Sequence, residues 1–283
     1  MISAVMGDYF GSIYEDQSIS SYNLPLVSPK SHITDESVAV AAVCEVLLGN
    51  NLSYAESYLK WFNRYPDAGY GFGTASWIQE QDANYVCNSE GNLAASRAAP
   101  IGYLNLPLSL LLSYTEDSCL PTHNSEEAIN GAKAIVYSLW AILHGGRSRA
   151  QIFGYLFSSF NYLLDFYTLE QLKQTNETGS SAFNTVPMAI WLGMSGKSYE
   201  DTLRNILYIN SDGLDLDSIM SMASTIAYAY HFGGNAKTAS ANEQYIKLEF
   251  ETKRYLFQNT KNQPILQIVQ EFEIQKEILG IPF

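Results

Sequence analysis

Apolar positions recur at three- and four-residue spacing along most of the chain, which is the period of an amphipathic helix. The clearest case is 125–144, where Ser125 is a suitable N-cap and Gly145-Gly146 ends the pattern. A second helix is predicted over 34–48 and a third over about 217–231, each followed by glycine. Shorter patterns predict helices at 52–63, 150–164, 186–193 and 198–208.

The C-terminal part of the chain gives a mixed signal. Ile246, Leu248 and Phe250 alternate with polar residues, which is a weak strand signal that competes with a helix, while 265–279 predicts a final helix. No alternation of strands and helices appears elsewhere. Loops rich in Gly, Asn and Ser are expected at 66–73, 82–100 and 175–184. The pattern predicts an all-α fold, with 1–283 as a single compact multi-helix domain.

Composition narrows the classes of function. The 283 residues are 47% hydrophobic, enough for a sizeable core, and the net charge of -13 argues against a nucleic-acid backbone as partner. No apolar run approaches the ~18 residues of a membrane span, and the first residues lack the basic region of a signal peptide. Three cysteines fit no metal or disulfide spacing. We therefore expect a cytoplasmic monomer that does not bind membranes.

Two acidic clusters stand at the start of apolar helical patterns, where charge is costly to bury. Thr34-Asp35-Glu36 opens one of them, and ordinary helix capping with a favourable dipole would explain it. Segment 212–218 is harder to explain, because its three acidic residues would repel each other unless a cation lay among them. The two clusters together offer the carboxylate and hydroxyl oxygens that a hard cation prefers.

Six segments occur in an order typical of one family. They are 6–15 (MGDYFGSIYE), 33–37 (ITDES), 64–71 (RYPDAGYG), 91–100 (GNLAASRAAP), 122–124 (THN) and 213–218 (GLDLDS). No single motif is specific, but their order across residues 6–234 resembles the ADP-ribosylglycohydrolases. We expect 240–283 to be an extension of the same domain.

The resemblance implies an all-α fold with a central cleft that holds two Mg²⁺ or Mn²⁺ ions. The metal ligands that it implies are Thr34, Asp35, Glu36, Asp215, Asp217 and Ser218. The catalytic residues that it implies are Glu15, Asp35 and Asp217. The substrate-binding residues that it implies are Tyr70, Gly71, Gly91, Asn92, Ser96 and His123. The two ions would hold the ribose hydroxyls of ADP-ribose and orient a water molecule.

Several of these residues have a second interpretation. Without the resemblance, Glu15 is a solvated charge beyond the first helix, and Asp8 is a structural hydrogen-bond acceptor in the core. His123 is either a phosphate contact near a helix N-terminus or a histidine whose hydrogen bonds are satisfied internally. Tyr70 either stacks on adenine or belongs to an ordered surface turn. The sequence leaves these alternatives open.

The implied function is a metal-dependent hydrolase that cleaves the bond between ADP-ribose and a modified protein side chain, most simply arginine. Its partner would be an ADP-ribosylated protein or ADP-ribose. Two departures from the family pattern matter: Glu36 stands where Asp is usual, and Leu93 and Ser96 replace Gly and Met. They motivate an alternative, a weak or inactive ADP-ribose-binding or immunity-type protein. A purely structural role is the third hypothesis, and retention of both acidic clusters counts against it.

Overall fold

A computed structural model of the chain describes residues 1–15, 17–164, 168–175, 179–234 and 236–279. The α-helices of this part are α1 Ile2–Gly11, α2 Asp35–Leu47, α3 Tyr54–Arg64, α4 Phe72–Glu80, α5 Leu93–Ser96, α6 Ala99–Gly102, α7 Leu108–Cys119, α8 Glu126–Leu143, α9 Arg149–Phe160, α10 Leu169–Gln174, α11 Ala182–Gly193, α12 Tyr199–Ile209, α13 Leu216–Phe232, α14 Ala236–Ala239, α15 Glu243–Gln258 and α16 Gln263–Leu279. A 3₁₀ turn at Thr260–Asn262 precedes α16. No β-strand occurs in the described residues, and the all-α single-domain prediction is confirmed.

The three strongest periodic patterns of the sequence form helices close to their predicted bounds. The α8 helix begins after Ser125, whose hydroxyl accepts a hydrogen bond from Ala128 N at 3.2 Å. The α13 helix ends at Gly233, which has a left-handed φ of +60°. Thr34 stands at the N-cap of α2, but its hydroxyl accepts no capping hydrogen bond from the backbone of that helix. That hydroxyl is engaged by acidic side chains in the cleft described below.

Other predictions fail for identifiable reasons. The strand signal at 246–250 is wrong, because these residues lie inside α15. There Leu248 is buried, while Ile246 and Phe250 stay exposed, as helical periodicity requires. The expected loops at 66–73 and 82–100 also contain helical turns, since α4 begins in the first and α5 in the second. Part of the third expected loop, 176–178, lies outside the described residues.

Close contact between α1 and α13 brings distant parts of the sequence to one place. A Cβ on Gly7 would lie 2.2 Å from Ser224 Oγ, and one on Gly11 would lie 2.4 Å from Asp217 Cα. Both distances are shorter than real contacts allow, so only glycine permits this approach. The segment that follows α1, with Glu15, therefore runs beside the N-terminus of α13.

The C-terminal helices pack on the same body of helices. The α16 helix lies against α2, and α15 contacts α12. The apolar face of α16 contributes Ile265, Val269 and Phe272 to the core. The extent of the domain at its C-terminal end remains a prediction, and 280–283 lie outside the described residues. None of the described helices is both long and apolar enough to span a membrane.

Candidate metal centre and cleft

A cavity of about 300 Å³ lies where the N-terminal ends of α2, α4, α5 and α13 meet. Its acidic lining residues are Glu15, Asp35, Glu36, Asp215 and Asp217. No lysine or arginine of the described residues lines it. The N-termini of α2 and α13 both carry acidic residues in their first turns, which their helix dipoles favour. The dipoles supply only partial charges, so the cavity keeps a strong excess of negative charge.

The carboxylates fall into two groups that share one member. One oxygen each from Asp8, Glu36 and Asp217 lie within 4.8 Å of one another, and so do oxygens from Glu15, Asp215 and Asp217. Divalent Mg²⁺ and Mn²⁺ prefer oxygen ligands at such convergent positions. Each group therefore offers a donor set suited to a hard cation, and Asp217 belongs to both groups. Asp35 lines the same cavity but belongs to neither group.

Asp8 is held by hydrogen bonds from the turn that begins α2. Its Oδ1 accepts from Thr34 Oγ1 at 2.6 Å, and its Oδ2 accepts from Thr34 N at 3.1 Å and Ser37 N at 3.2 Å. The Ser37 hydroxyl donates to the same oxygen. Burial raises the pKa of Asp8 to about 7, and the charge of Glu36 contributes. These contacts agree with the structural interpretation of Asp8, which fixes the backbone that presents Asp35 and Glu36.

Glu36 joins the two acidic clusters. Its Oε1 accepts a hydrogen bond from the Ser218 hydroxyl, and its Oε2 contacts the Thr34 hydroxyl. The longer side chain therefore reaches the second cluster, 182 positions along the chain. Thr34 has one hydroxyl proton and faces two carboxyl groups, Asp8 and Glu36. One of these carboxyl groups must itself be protonated for both contacts to be hydrogen bonds.

The buried carboxyl groups raise each other's pKa values. Burial raises the pKa of Asp217 well above its ordinary value, and Glu36 and Asp215 raise it further. Burial also raises the pKa of Asp35 well above its ordinary value, with Glu36 as the next cause. The pKa of Glu36 is raised chiefly by burial, then by Asp215. These carboxyl groups cannot all ionise unless positive charge lies among them. Divalent cations would supply that charge.

Asn92 holds the second cluster from the opposite wall. Its Nδ2 donates to Asp215 Oδ2 at 3.1 Å and to Thr185 Oγ1 at 3.0 Å. Its Oδ1 lies 3.3 Å from Ser218 Oγ, and its backbone N donates to Ser180 O at 2.8 Å. The side chain predicted to bind substrate is thus engaged in orienting acidic and hydroxyl groups. No pattern in the sequence indicates this role.

Most residues predicted for the site come together. Those that line the cavity are Glu15, Asp35, Glu36, Gly71, Gly91, Asn92, His123, Asp215 and Asp217. Thr34 and Ser218 lie behind it, hydrogen-bonded to Glu36. The two acidic clusters of the sequence therefore meet in one cleft, where Ser218 and Glu36 are in direct contact.

Tyr70 and Ser96 are not among the lining residues. The Tyr70 hydroxyl donates to Tyr65 O at 3.0 Å, and its ring packs on Phe62 with 4.9 Å between centroids. The Ser96 hydroxyl is buried and donates to Leu93 O at 3.2 Å within its own helix. The aromatic side chain at the cleft is instead Phe72, which is 90% exposed. Its place in the glycine-rich 69–73 segment was the only signal for it.

His123 combines both of its possible interpretations. The side chain is buried and lines the cavity, and its Nδ1 lies 2.7 Å from Thr122 Oγ1. Burial lowers the pKa of His123 well below its ordinary value, and the nearby Arg97 lowers it further. The imidazole is therefore neutral, with one nitrogen satisfied internally and its ring at the cleft wall.

Comparison with known proteins agrees with this architecture. Residues 1–235 match the ADP-ribosylglycohydrolase family, and the chain belongs to that family. A solved structure described as an ADP-ribosylglycohydrolase-related protein complex is similar with a TM-score of 0.61 and 18% identity. The similarity covers 90% of this chain and 94% of that one, and it shows the fold. A search of curated proteins gave no match.

Membership in the family confirms the resemblance that the six motifs suggested. It supports a hydrolase that acts on ADP-ribosyl linkages, with ADP-ribose or an ADP-ribosylated molecule as ligand. The acidic groups of the cleft are suited to bind metal.

Proposed function

We propose that this protein is a divalent-metal-dependent hydrolase that releases ADP-ribose from a modified protein side chain, with arginine as the acceptor. The observation that carries the proposal is the pair of carboxylate groups that share Asp217 at a cleft that no described lysine or arginine lines. In a purely structural protein, burying these acids would cost stability without serving a function. In a hydrolase, the same acids would bind cations and stabilise a cationic transition state.

The proposed ligands of two Mg²⁺ or Mn²⁺ ions are Thr34, Asp35, Glu36, Asp215, Asp217 and Ser218. When bound, the ions would hold ribose hydroxyls and polarise a water molecule. The two carboxylate groups also include Asp8 and Glu15, for which we propose other roles. Asp8 already accepts hydrogen bonds from Thr34 and Ser37, so we assign it a positioning role.

Glu15 is the proposed general base. It is half-buried at the cleft, and one of its oxygens lies within 4.8 Å of oxygens from Asp215 and Asp217. From there it would accept a proton from the water that attacks the anomeric carbon while the bond from that carbon to the acceptor nitrogen breaks, and the released guanidine group would take up the proton. Glycoside hydrolysis develops positive charge on the sugar ring. The acidic wall formed by Asp35 and Asp217 would stabilise that charge.

Gly71, Gly91 and His123 are the proposed contacts for the rest of the ADP-ribosyl group. Glycines in the cleft wall let a ligand approach the backbone closely. Tyr70 and Ser96 lie behind this surface, where they would support its shape. Asn92 would act on the ligand mainly through the acidic groups that it orients.

An acceptor screen tests the proposal. Proteins or peptides ADP-ribosylated on arginine or serine, and an ADP-ribosylated nucleic acid, would be incubated with the protein and Mg²⁺ or Mn²⁺. We expect release of ADP-ribose from the arginine substrate and its loss with a chelator. Asp217→Asn should be inactive, while the matched control Asp117→Asn, at an exposed position in α7, should keep activity. Failure to release ADP-ribose from every substrate with either metal would contradict the proposal.

One observation favours a second function. The Glu36 carboxyl group is already occupied by the hydroxyls of Thr34 and Ser218, which are themselves proposed ligands. If these contacts persist in the presence of metal, the protein would bind ADP-ribosylated targets without turnover. Binding of ADP-ribose that survives Asp35→Ala and Asp217→Ala, with no turnover by the wild type, would favour this function.

A further inference from the structure

Arg97 is a buried cation close to the cleft. Its side chain is 0% exposed, and no described carboxylate forms an ion pair with it. The guanidinium lies over the ring of Tyr58 at 4.1 Å, and its Nη2 donates to Ser118 O and Thr122 Oγ1, both at 2.8 Å. Its Nε and Nη1 have no partner. Burying a charge with so few hydrogen-bond partners costs stability. This cost indicates a role for Arg97 beyond packing.

Thr122 connects this cation to the cleft. Its hydroxyl is fully buried and lies between Arg97 Nη2 and His123 Nδ1, at 2.8 and 2.7 Å. The Arg97 guanidinium can only donate hydrogen bonds, so the Thr122 hydroxyl oxygen is the acceptor in this contact. Among the described residues, the acceptor that contacts this hydroxyl proton is then His123 Nδ1. The reverse arrangement would leave a buried O–H without an acceptor, which is unfavourable.

The direction of these bonds decides the state of His123. With Nδ1 as an acceptor, the proton of the neutral ring resides on Nε2. Nε2 lies 3.5 Å from the position that a Cβ on Gly91 would take, and both residues line the cleft. No described residue forms a hydrogen bond to Nε2. The ring therefore presents an unpaired N–H toward the space that a ligand would enter.

We infer that Arg97 and Thr122 are positioning residues that fix His123 as a neutral Nε2–H donor facing the substrate cleft. The inference rests on the proposed function for the identity of the ligand, whose phosphate and hydroxyl oxygens are acceptors. The same Arg97 charge and the burial of the ring oppose protonation of His123. A neutral donor binds an oxygen without forming an ion pair with the nearby carboxylates, so it does not compete with cations for them.

Histidine-selective nitrogen NMR of the whole protein tests the tautomer directly. The wild-type His123 should show a protonated Nε2 and an unprotonated Nδ1 at neutral pH. Thr122→Ser keeps the hydroxyl and should keep this pattern, whereas Thr122→Val removes it and should change the tautomer populations. Thr115→Val is the matched control, because Thr115 is equally buried and its hydroxyl donates to Leu111 O. A wild-type ring protonated on Nδ1, or a spectrum unchanged in Thr122→Val, would overturn the inference.

Affinity for ADP-ribose, measured by calorimetry on the same variants, tests the consequence for binding. Thr122→Val should weaken binding about tenfold, the scale of one hydrogen bond. Thr122→Ser and Thr115→Val should bind as the wild type does. Equal affinity of Thr122→Val and the wild type would overturn the positioning role. If the wild type bound no ADP-ribose, the proposed function would fail while the NMR result still decided the tautomer. If Thr122→Val did not fold, the wild type and Thr122→Ser spectra would decide it.

Discussion

Two regions of this protein bury carboxylates, and they treat them in opposite ways. Glu45 in α2 is buried, and its oxygens accept from Lys60, from Trp61 Nε1 at 2.9 Å and from Ser57 Oγ at 3.2 Å. Between two and three turns earlier in the same helix, Asp35 and Glu36 face a cavity that no described lysine or arginine lines. One helix thus carries a neutralised acid near its C-terminal end and uncompensated acids at its N-terminus.

The difference separates a structural carboxylate from a functional one. Glu45 has a cation and neutral donors, so folding alone satisfies it. The neighbours of the cleft acids are hydroxyl groups and other carboxyl groups. Burial and mutual repulsion therefore raise the pKa values of Asp35 and Asp217. Unsatisfied charge of this kind persists where a ligand completes it. Asp8 lies between these extremes, because backbone and hydroxyl donors hold it but no cation does.

The largest expected effect comes from removing the shared member of the two carboxylate groups. Asp217→Asn should reduce ADP-ribose release by at least about 100-fold, because changes around a metal site that spare its ligands already cost 10–100-fold. Steady-state kinetics with saturating Mg²⁺ or Mn²⁺ would measure it. Lys60→Met, which removes the cation from Glu45, should leave kcat/KM near the wild-type value. Comparable losses in the two variants would erase the distinction between the regions.

The next effect is a dependence of stability on pH in the presence of a chelator. Folding raises the pKa of Asp8 from 3.8 to about 7, so the folded state holds a proton that the unfolded state has released. The contribution to stability is therefore full below pH 3.8 and is lost as pH rises toward 7, by a few kcal/mol. Thermal unfolding with a chelator should show this decline, and Mg²⁺ should flatten it. The interpretation would be contradicted if the stability of the wild type in chelator, measured relative to that of Asp217→Asn, rose between pH 3.8 and 7.

The sequence was sufficient for the architecture because helical periodicity is local. The patterns at 34–48, 125–144 and 217–231 became α2, α8 and α13 within two residues at each end. Short helices such as α5 were missed, since four residues carry too little periodicity to detect. The strand signal near 248 failed because alternation over five residues also fits one buried position on a half-exposed helix.

The site was only partly predictable, because its contacts join distant positions. The acidic clusters were visible from their position at the start of apolar helical patterns, but the contact of Asn92 with Asp215 joins residues 123 positions apart. Arg97 gave a signal of the same kind as the acids, a lone charge within an alanine-rich stretch. Its neighbours Thr122 and His123 could not be assigned to it without the fold. The roles of the individual site residues remain predictions.

We expect metal binding at the cleft acids to raise the free energy of unfolding. Glu45 should make no contribution to this increase. A cation that binds only the folded state at 100 times its Kd adds about 2.7 kcal/mol to the free energy of unfolding. Thermal unfolding across a Mg²⁺ or Mn²⁺ titration should therefore show a rising midpoint in the wild type and in Glu45→Ala. Asp217→Asn should lose the rise. A flat titration in the wild type would mean that the two carboxylate groups do not assemble a cation site.

The smallest effect is the stability difference between removing a satisfied acid and removing an unsatisfied one. Glu45→Ala leaves the buried Trp61 Nε1 without an acceptor and should cost about 2 kcal/mol in chelator. Ser57 loses less, because its hydroxyl also donates to Ala42 O at 2.9 Å. Glu36→Gln keeps the side-chain volume, removes repulsion from Asp35 and Asp217, and should cost nothing or stabilise the metal-free protein. Denaturant unfolding of both variants measures the difference. If Glu36→Gln were the more destabilised in chelator, the cleft acids would be structural after all, because their contacts with Thr34 and Ser218 would outweigh the repulsion.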